Sequence, residues 1–180
     1  MNVKDKRKSL IERGVFLFFG DVDEQIVEDA VEFILEENIY KTNEELTLVV
    51  NSRGGSVDDG MALIDVMAGS KIPVKTVGVG CLASMGLSIF IAGEKGSRVL
   101  TPNTSIMAHQ WTWGYWGKEH ELLAMDKHNK LTQRKMIRHY QKHTGLSEQE
   151  IREFIFPPHD AWLSAKEAKK LGLCDVVRDL

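Results

Sequence analysis

The sequence contains few cysteines, and the two it has lie far apart. Cys81 and Cys174 each stand in an apolar stretch of the 180-residue chain, a spacing typical neither of paired zinc ligands nor of a disulfide framework. We therefore expect free, buried thiols in a reducing compartment, and no metal site.

Long hydrophobic runs and an excess of positive charge are also missing. No segment approaches the roughly 20 apolar residues of a membrane-spanning helix, and the charged start of the chain is not followed by the apolar core of a signal peptide. The net charge of -3 gives no indication of a nucleic-acid partner. The sequence therefore predicts a cytoplasmic protein with neither a membrane nor a nucleic-acid partner.

The glycine-containing turns do not form phosphate-binding motifs. Gly54-Gly55 lacks the lysine and hydroxyl residue of a P-loop, and Gly78-Val79-Gly80 lacks the third glycine of a dinucleotide-binding turn. We expect no cofactor. The length is typical of one domain, which we assign to residues 14–180, behind a polar and mobile segment of residues 1–13.

Short apolar segments alternate with segments of helical periodicity. Strands are predicted at residues 15–19, 46–50, 74–79, 98–100, 105–107 and 173–177, and helices near residues 26–35, 58–68, 87–92, 119–143, after 147 and after 164. The first strand is wholly apolar, so we expect it to be covered on both faces. The alternation predicts an α/β fold with a mainly parallel sheet and helices outside it.

The segment from residue 119 to about 143 is polar and contains neither Gly nor Pro. A helix of this length would extend about 37 Å, too far for a compact domain of this size, so we expect it to project and pack against another subunit. Its four histidines are expected to be solvated on its surface: His120, His128, His139 and His143.

Three residues are candidates for nucleophilic catalysis. Ser84 follows an apolar strand at a small-residue turn and opens a helix, whose N-terminus favours developing negative charge. His109 follows another strand, and Asp160 lies in a loop after two prolines. Each has a simpler interpretation, namely a packing serine, a core histidine bonded to a carbonyl, and a turn-forming aspartate.

The joint occurrence of several short motifs favours the catalytic interpretation of these three residues. The motifs are, in order, Asn51-Ser52-x-Gly54-Gly55, Ala83-Ser84-Met85-Gly86, Met107-x-His109-Gln110, His143-Thr144-Gly145, Asp160, Leu163-Ser164-Ala165-x-Glu167-Ala168 and Gly172-Leu173-x-Asp175. Their order and spacing, from about Val15 to Val177, resemble the proteolytic subunit of the Clp protease family.

The resemblance implies a ClpP/crotonase-like αβ spiral with a projecting handle helix, the handle region covering about residues 111–143. It implies a serine endopeptidase with the triad Ser84, His109 and Asp160, and an oxyanion hole formed by the backbone N–H groups of Gly55 and Met85. It also implies a homo-oligomer of two stacked heptameric rings that acts on peptides and proteins, with an AAA+ Clp unfoldase as a possible partner.

Several positions depart from the family pattern. Arg53 and Trp111 each stand where the family usually has proline, and Pro158 and His159 replace an acidic residue and an arginine used in contacts between rings. With Trp113, Tyr115 and Trp116, the segment after His109 is unusually aromatic, which predicts either bulky, apolar subsites or packing against the opposite ring. The 13 residues before Gly14 are fewer than the family's axial hairpin uses, which weakens the unfoldase prediction.

Two alternatives remain beside the peptidase. A crotonase-type acyl-CoA hydratase or isomerase shares the spiral architecture and an oxyanion hole, but does not need Ser84, His109 and Asp160 together. A non-catalytic ring subunit would support assembly only, and a complete triad argues against it.

Overall fold

The chain alternates strands and helices in the computed structural model, which describes residues 10–179. The strands are β1 Val15–Phe19, β2 Leu46–Ser52, β3 Val74–Ala83, β4 Arg98–Leu100, β5 Ser105–Ala108, β6 Ala161–Ser164 and β7 Val176–Val177. The helices are α1 Glu24–Tyr40, α2 Val57–Gly69, α3 Met85–Ile91, α4 Glu119–Thr144, α5 Glu148–Glu150, which continues into a π-helical turn at Ile151–Ile155, and α6 Ala165–Lys170. Most of the segment predicted to be mobile lies outside the described residues.

The sheet is mainly parallel, as predicted. Its order is β1-β2-β3-β4-β7, and β5 pairs with the end of β3 and with β6. Among the described strand pairs, the antiparallel one is β5 with β6. The α/β prediction is confirmed.

An irregularity in β3 turns this strand towards β5. Val50 pairs with Gly78 but Ser52 pairs with Leu82, so β3 holds two residues more than β2 over this interval. Gly80 has a positive φ of 65°, and the N–H of Cys81 donates to the side chain of Asn51 at 3.1 Å. Such bulges bend a strand and increase its twist, and here the part of β3 beyond the bulge pairs with β5.

Several sequence predictions differ from the structure. In β1, Leu17 is 38% and Phe19 49% exposed, whereas Phe18 is buried. The prediction that both faces are covered is therefore wrong for the single chain, because Leu17 and Phe19 share a face of the strand that the chain leaves partly open. The last strand is shorter than residues 173–177, since Leu173 and Cys174 turn into the core. Strand β6 was not predicted at all. Of the cysteines, both free, Cys81 is only half-buried.

Helix α4 matches the predicted bounds within one residue. No residue between 119 and 131 is buried, whereas Thr132, Met136, Ile137, His139 and Tyr140 are. The first half therefore projects beyond the core of the chain, and the second half packs against it.

Two of the four helix histidines are not solvated as expected. His139 is 8% exposed, and its Nε2 lies 2.8 Å from the carbonyl oxygen of Ser88 in α3. Its ring packs against that of His143, with centroids 4.7 Å apart. Burial, followed by the influence of His143, lowers the pKa of His139 to about 4. Burial and the charges of Lys142 and Arg98 lower the pKa of His143 to about 4.

These pKa values predict that the protein loses stability in mild acid. The unfolded chain binds protons at these histidines near pH 6.5, whereas the folded chain does so only near pH 4. The stabilisation is therefore complete above pH 6.5 and is lost as the pH falls towards 4. For the buried His139 the change in unfolding free energy is about 3 kcal/mol. Urea unfolding between pH 4 and 7.5 measures it.

The variant His139→Gln keeps a hydrogen-bond donor but does not titrate, so we expect it to lose much of this pH dependence. Exposed His120 on the same helix supplies the control, because His120→Gln should leave the pH profile of the parent unchanged. A profile of His139→Gln as steep as that of the parent protein would contradict the prediction.

A buried ion pair joins β4 to the segment before β7. Arg98, 3% exposed, donates to Asp175 from Nε at 2.9 Å and from Nη2 at 2.7 Å. Its Nη1 donates to the carbonyl oxygen of His143 at 2.9 Å. Burial alone would raise the pKa of the Asp175 carboxyl, but the hydrogen bonds and charge of Arg98 and the N–H of Gly96 outweigh it and lower the pKa. The pair thus fixes the end of α4 to the sheet.

Candidate active site

Ser84 lies in a strained turn between β3 and α3. Its φ is 51° and its ψ is -124°, a region that residues other than glycine rarely adopt. The backbone N–H of Ser84 donates to the carbonyl oxygen of Met107 at 3.1 Å, which fixes the turn against β5. Such strain persists only where the surrounding structure enforces it, and it is concentrated at functional sites.

The pairing of β5 with β6 brings His109 and Asp160 together. Ala108 is opposite Ala161 in this antiparallel pair, so His109 and Asp160 occupy the next positions along the two strands. His109 Nδ1 lies 3.7 Å from Asp160 Oδ1, a distance longer than a hydrogen bond. The side chain of Asp160 is 62% exposed, so water screens this contact in the single chain.

The other ring nitrogen of His109 has no partner. Among the described residues, His109 Nε2 is the one buried side-chain nitrogen or oxygen atom without a hydrogen bond. Leaving such an atom without a hydrogen bond costs about 1–3 kcal/mol. The absence of a partner for His109 Nε2 therefore needs an explanation. Ser84 and His109 line the same pocket, and no hydrogen bond between them is present in the described chain. Catalytic hydrogen bonds often tighten only when substrate binds.

The two glycines after β2 lie against the Ser84 turn and against Val22. A Cβ atom on Gly54 would be 2.7 Å from the Cβ of Ser84 and 2.9 Å from the backbone nitrogen of Met85. Gly54 and Ser56 hydrogen-bond to the backbone of Val22 as in a parallel strand pair. The N–H of Gly55 therefore points to the opposite side. Met85 is the first residue of α3, so its N–H has no partner within the helix.

The pocket beside Ser84 also contains residues that the sequence did not single out, among them Ser88 and Tyr140. Its volume is about 20 Å³, and its walls are formed by Val57, Met85, Ser88, Ala108, Trp111, Met136, Tyr140, Ile155 and Phe156 together with Ser84 and His109. Ser88 follows Ser84 by one helical turn, and its Oγ lies 3.1 Å from the hydroxyl of Tyr140. The four-residue spacing from Ser84 was the available signal, because residues four apart share a helix face.

The aromatic segment after His109 is irregular in conformation. Trp111 turns inward, where its Nε1 donates to Asn129 at 2.9 Å and its ring makes an edge-to-face contact with Phe156. Trp113, Tyr115 and Trp116 are exposed, Trp116 by 95%. The segment therefore has one anchored ring and three that are available to a partner or a substrate.

Residues 10–179 contain no group of three His, Cys, Asp or Glu side chains placed to hold a metal ion. In the same range, no helix has both the length and the apolar character needed to cross a membrane.

Comparisons with known proteins agree with the family resemblance of the sequence. The family model described as Clp protease matches residues 1–179. ATP-dependent Clp protease proteolytic subunit 2 of Corynebacterium diphtheriae is 33% identical over 98% of this chain and 88% of its own length. The ATP-dependent Clp protease proteolytic subunit of Chlorella vulgaris is 34% identical over 92% of this chain and 81% of its own. The corresponding subunit of Deinococcus radiodurans is 33% identical over 91% and 79%. The mixed α/β spiral expected from the resemblance is thus confirmed, and the chain belongs to the Clp protease family of serine-type endopeptidases.

Proposed function

We propose that this chain hydrolyses peptide bonds with Ser84 as nucleophile, His109 as general base and Asp160 as the group that orients His109. The observation that carries the proposal is the unpaired Nε2 of His109, which is buried beside the pocket that Ser84 lines. Its other nitrogen faces Asp160. A base with one nitrogen free for the nucleophile and the other near a carboxylate is the arrangement that activates a serine.

In the proposed reaction, Ser84 Oγ attacks the peptide carbonyl carbon while its proton passes to His109 Nε2. The tetrahedral intermediate collapses when His109 returns that proton to the leaving amine. Water then attacks the acyl-enzyme with His109 again as base, which releases the carboxyl product and restores the serine. Asp160 stabilises the imidazolium form and keeps Nδ1 protonated.

The oxyanion is proposed to bind the N–H groups of Gly55 and Met85. Supporting this role, Gly55 directs its N–H away from Val22, and Met85 begins α3 beside Ser84. Two such donors stabilise the charge that develops on the carbonyl oxygen, each by roughly 3 kcal/mol.

The assembly proposal is a homo-oligomer of heptameric rings stacked in pairs, with the peptidase domain at residues 14–180 behind a mobile segment. The first half of α4, within the handle region of about residues 111–143, exposes Leu122, Leu123 and Leu131, which suits a role in joining rings. The relatives carry the name of a subunit of an ATP-dependent protease. We accordingly propose protein substrates, a Clp ATPase partner and a cytoplasmic location.

Labelling with a fluorophosphonate tests the nucleophile directly. We expect a plain fluorophosphonate to react once per chain, since Ser84 Oγ displaces fluoride only where a base activates it. Intact-mass measurement and peptide mapping locate the label, and native mass measurement of the same sample gives the number of chains per particle. Labelling at another serine, or none at all, would overturn the peptidase proposal. Absence of any label would favour a non-catalytic subunit or acyl-CoA chemistry instead.

A further inference from the structure

We propose that Ser52 is a positioning residue, whose hydroxyl keeps the backbone N–H of Gly55 directed at the oxyanion. The inference rests on the peptidase function above and deepens it, because it adds a residue on which that function depends. Ser52 is the last residue of β2 and is 2% exposed. It does not line the pocket beside Ser84, so it acts through the backbone and does not touch the substrate.

The hydroxyl of Ser52 accepts a hydrogen bond from the turn that follows β2. The backbone N–H of Gly54 donates to Ser52 Oγ at 3.1 Å, and both residues are buried. Between them, Arg53 is exposed and does not restrain its own φ as a proline would. The bond to Ser52 therefore restrains a peptide unit, from Arg53 to Gly54, that the residue types alone leave free to rotate.

The next peptide unit carries the proposed oxyanion donor. The carbonyl oxygen of Gly54 accepts from the N–H of Val22 at 2.9 Å. In a trans peptide unit, which this one is, the C=O and the N–H point in opposite directions. The N–H of Gly55 thus points away from Val22, and Gly55 is exposed, as a donor to a substrate oxygen has to be. Ser52 and Val22 together fix this orientation, one on each side of Gly54.

The two glycines cannot keep this geometry without the hydrogen bonds. Gly54 has a φ of 101° and Gly55 a φ of 152°, and glycine populates many other conformations about as readily. Removing Ser52 Oγ would leave the buried N–H of Gly54 without an acceptor, which is unfavourable. Rotation of that peptide unit relieves the loss, and the N–H of Gly55 then turns away with it.

Ser52 also contacts the helix that carries the second proposed donor. A Cβ atom on Gly86 would lie 2.8 Å from the Cβ and 3.0 Å from the Oγ of Ser52, so the backbone of α3 lies directly against this side chain. Gly86 follows Met85, whose N–H is the other proposed donor. One buried side chain therefore contacts both the loop of Gly55 and the first turn of α3.

The variant Ser52→Ala tests the positioning role. An internally quenched peptide gives kcat and KM for the parent protein and the variant. We expect kcat to fall about tenfold or more, which is part of the roughly 10²–10³-fold loss typical when one oxyanion donor is removed. KM should stay within about twofold of the parent value, because the oxyanion forms in the transition state and not in the bound substrate.

A peptide trifluoromethyl ketone supplies a readout that a purely structural role would not change. Ser84 Oγ adds to its carbonyl carbon, the serine proton passes to His109, and the carbonyl oxygen becomes an oxyanion. In Ser52→Ala its inhibition constant should rise by about the factor by which kcat/KM falls. A variant that only destabilises the fold lowers the melting temperature, but its folded chains bind the inhibitor as tightly as before.

Thr104→Val is the matched control. It also removes a buried hydroxyl that bonds to the backbone, since Thr104 Oγ1 donates to the carbonyl oxygen of Gly78 at 2.9 Å. It should lower the melting temperature and keep the parent kcat and inhibition constant. Should Ser52→Ala fail to fold, Ser52→Cys tests the same role, because its sulfur replaces the oxygen but is a weak acceptor. We expect the same changes from Ser52→Cys.

The fluorophosphonate separates the two levels of the proposal. If it fails to label Ser84 in the parent protein, the peptidase function falls and the role of Ser52 falls with it. If it labels Ser84, but the folded variant at position 52 keeps the parent kcat or binds the trifluoromethyl ketone as tightly as the parent does, the role of Ser52 alone is overturned. An equal fall in kcat for Thr104→Val would overturn it as well.

Discussion

Ser84→Ala is expected to lower kcat for peptide hydrolysis by about 10⁶-fold, the loss typical when the nucleophile of such a triad is removed. The stability of the chain should hardly change. The Ser84 side chain makes no capping hydrogen bond to α3, and the contact that fixes the turn, from Ser84 N–H to Met107, belongs to the backbone. Alanine at the same positive φ is no more strained than serine.

An internally quenched peptide measures the rate, and thermal melting together with native mass measurement checks the fold and the assembly. Ser105→Ala, at an exposed position on the strand that leads to His109, is the matched control and should keep the parent rate. Residual cleavage by Ser84→Ala within tenfold of the parent would show that another group is the nucleophile.

The identity of the candidate residues could be predicted from sequence, but the way two of them meet could not. His109 and Asp160 are neighbours because β6 pairs with β5 in one register. Residues 161–164 end at the helix-capping Ser164 and look like a loop, since so short a segment has no strand periodicity of its own. The partner strand, not local preference, makes it a strand.

The interior of α4 shows a different limit. A polar helix was expected to carry only surface histidines. His139 nevertheless lies on the buried face of α4, together with Thr132, Met136 and Tyr140. The helical spacing of Met136, Ile137 and Tyr140 was visible in the sequence, and it indicates the buried face more reliably than residue type does. What no spacing shows is the acceptor, the carbonyl of Ser88, because it belongs to another helix.

The exposed face of β1 was beyond prediction for a related reason. Five consecutive apolar residues predict a strand, and the strand is present. Whether both faces are covered depends on which helices, or which other subunits, pack on each side of the sheet at that strand. Leu17 and Phe19 remain partly exposed in the single chain, so their apolar character points to contacts outside it.

Asp175→Ala is expected to lower the free energy of unfolding by about 3–5 kcal/mol, the cost typical of removing one partner of a buried ion pair. The change leaves the guanidinium of Arg98, which is 3% exposed, with the His143 carbonyl as its remaining partner. It also removes the acceptor for the N–H groups of Gly96 and Arg98. Urea unfolding at pH 7.5 measures the loss without interference from the histidines.

Two further variants separate the buried charge from the general effect of losing an ion pair. Asp175→Asn keeps an acceptor oxygen without the negative charge. It should therefore lower the free energy of unfolding by less than Asp175→Ala does, but by more than the control variant. The control is Asp126→Ala, which breaks the exposed pair between Asp126 and Lys130 on α4 and should cost no more than about 0.5 kcal/mol. If Asp126→Ala and Asp175→Ala lower the free energy of unfolding equally, Arg98 must bind water or another acceptor once Asp175 is removed. The pair would then not be what fixes the end of α4 to β4.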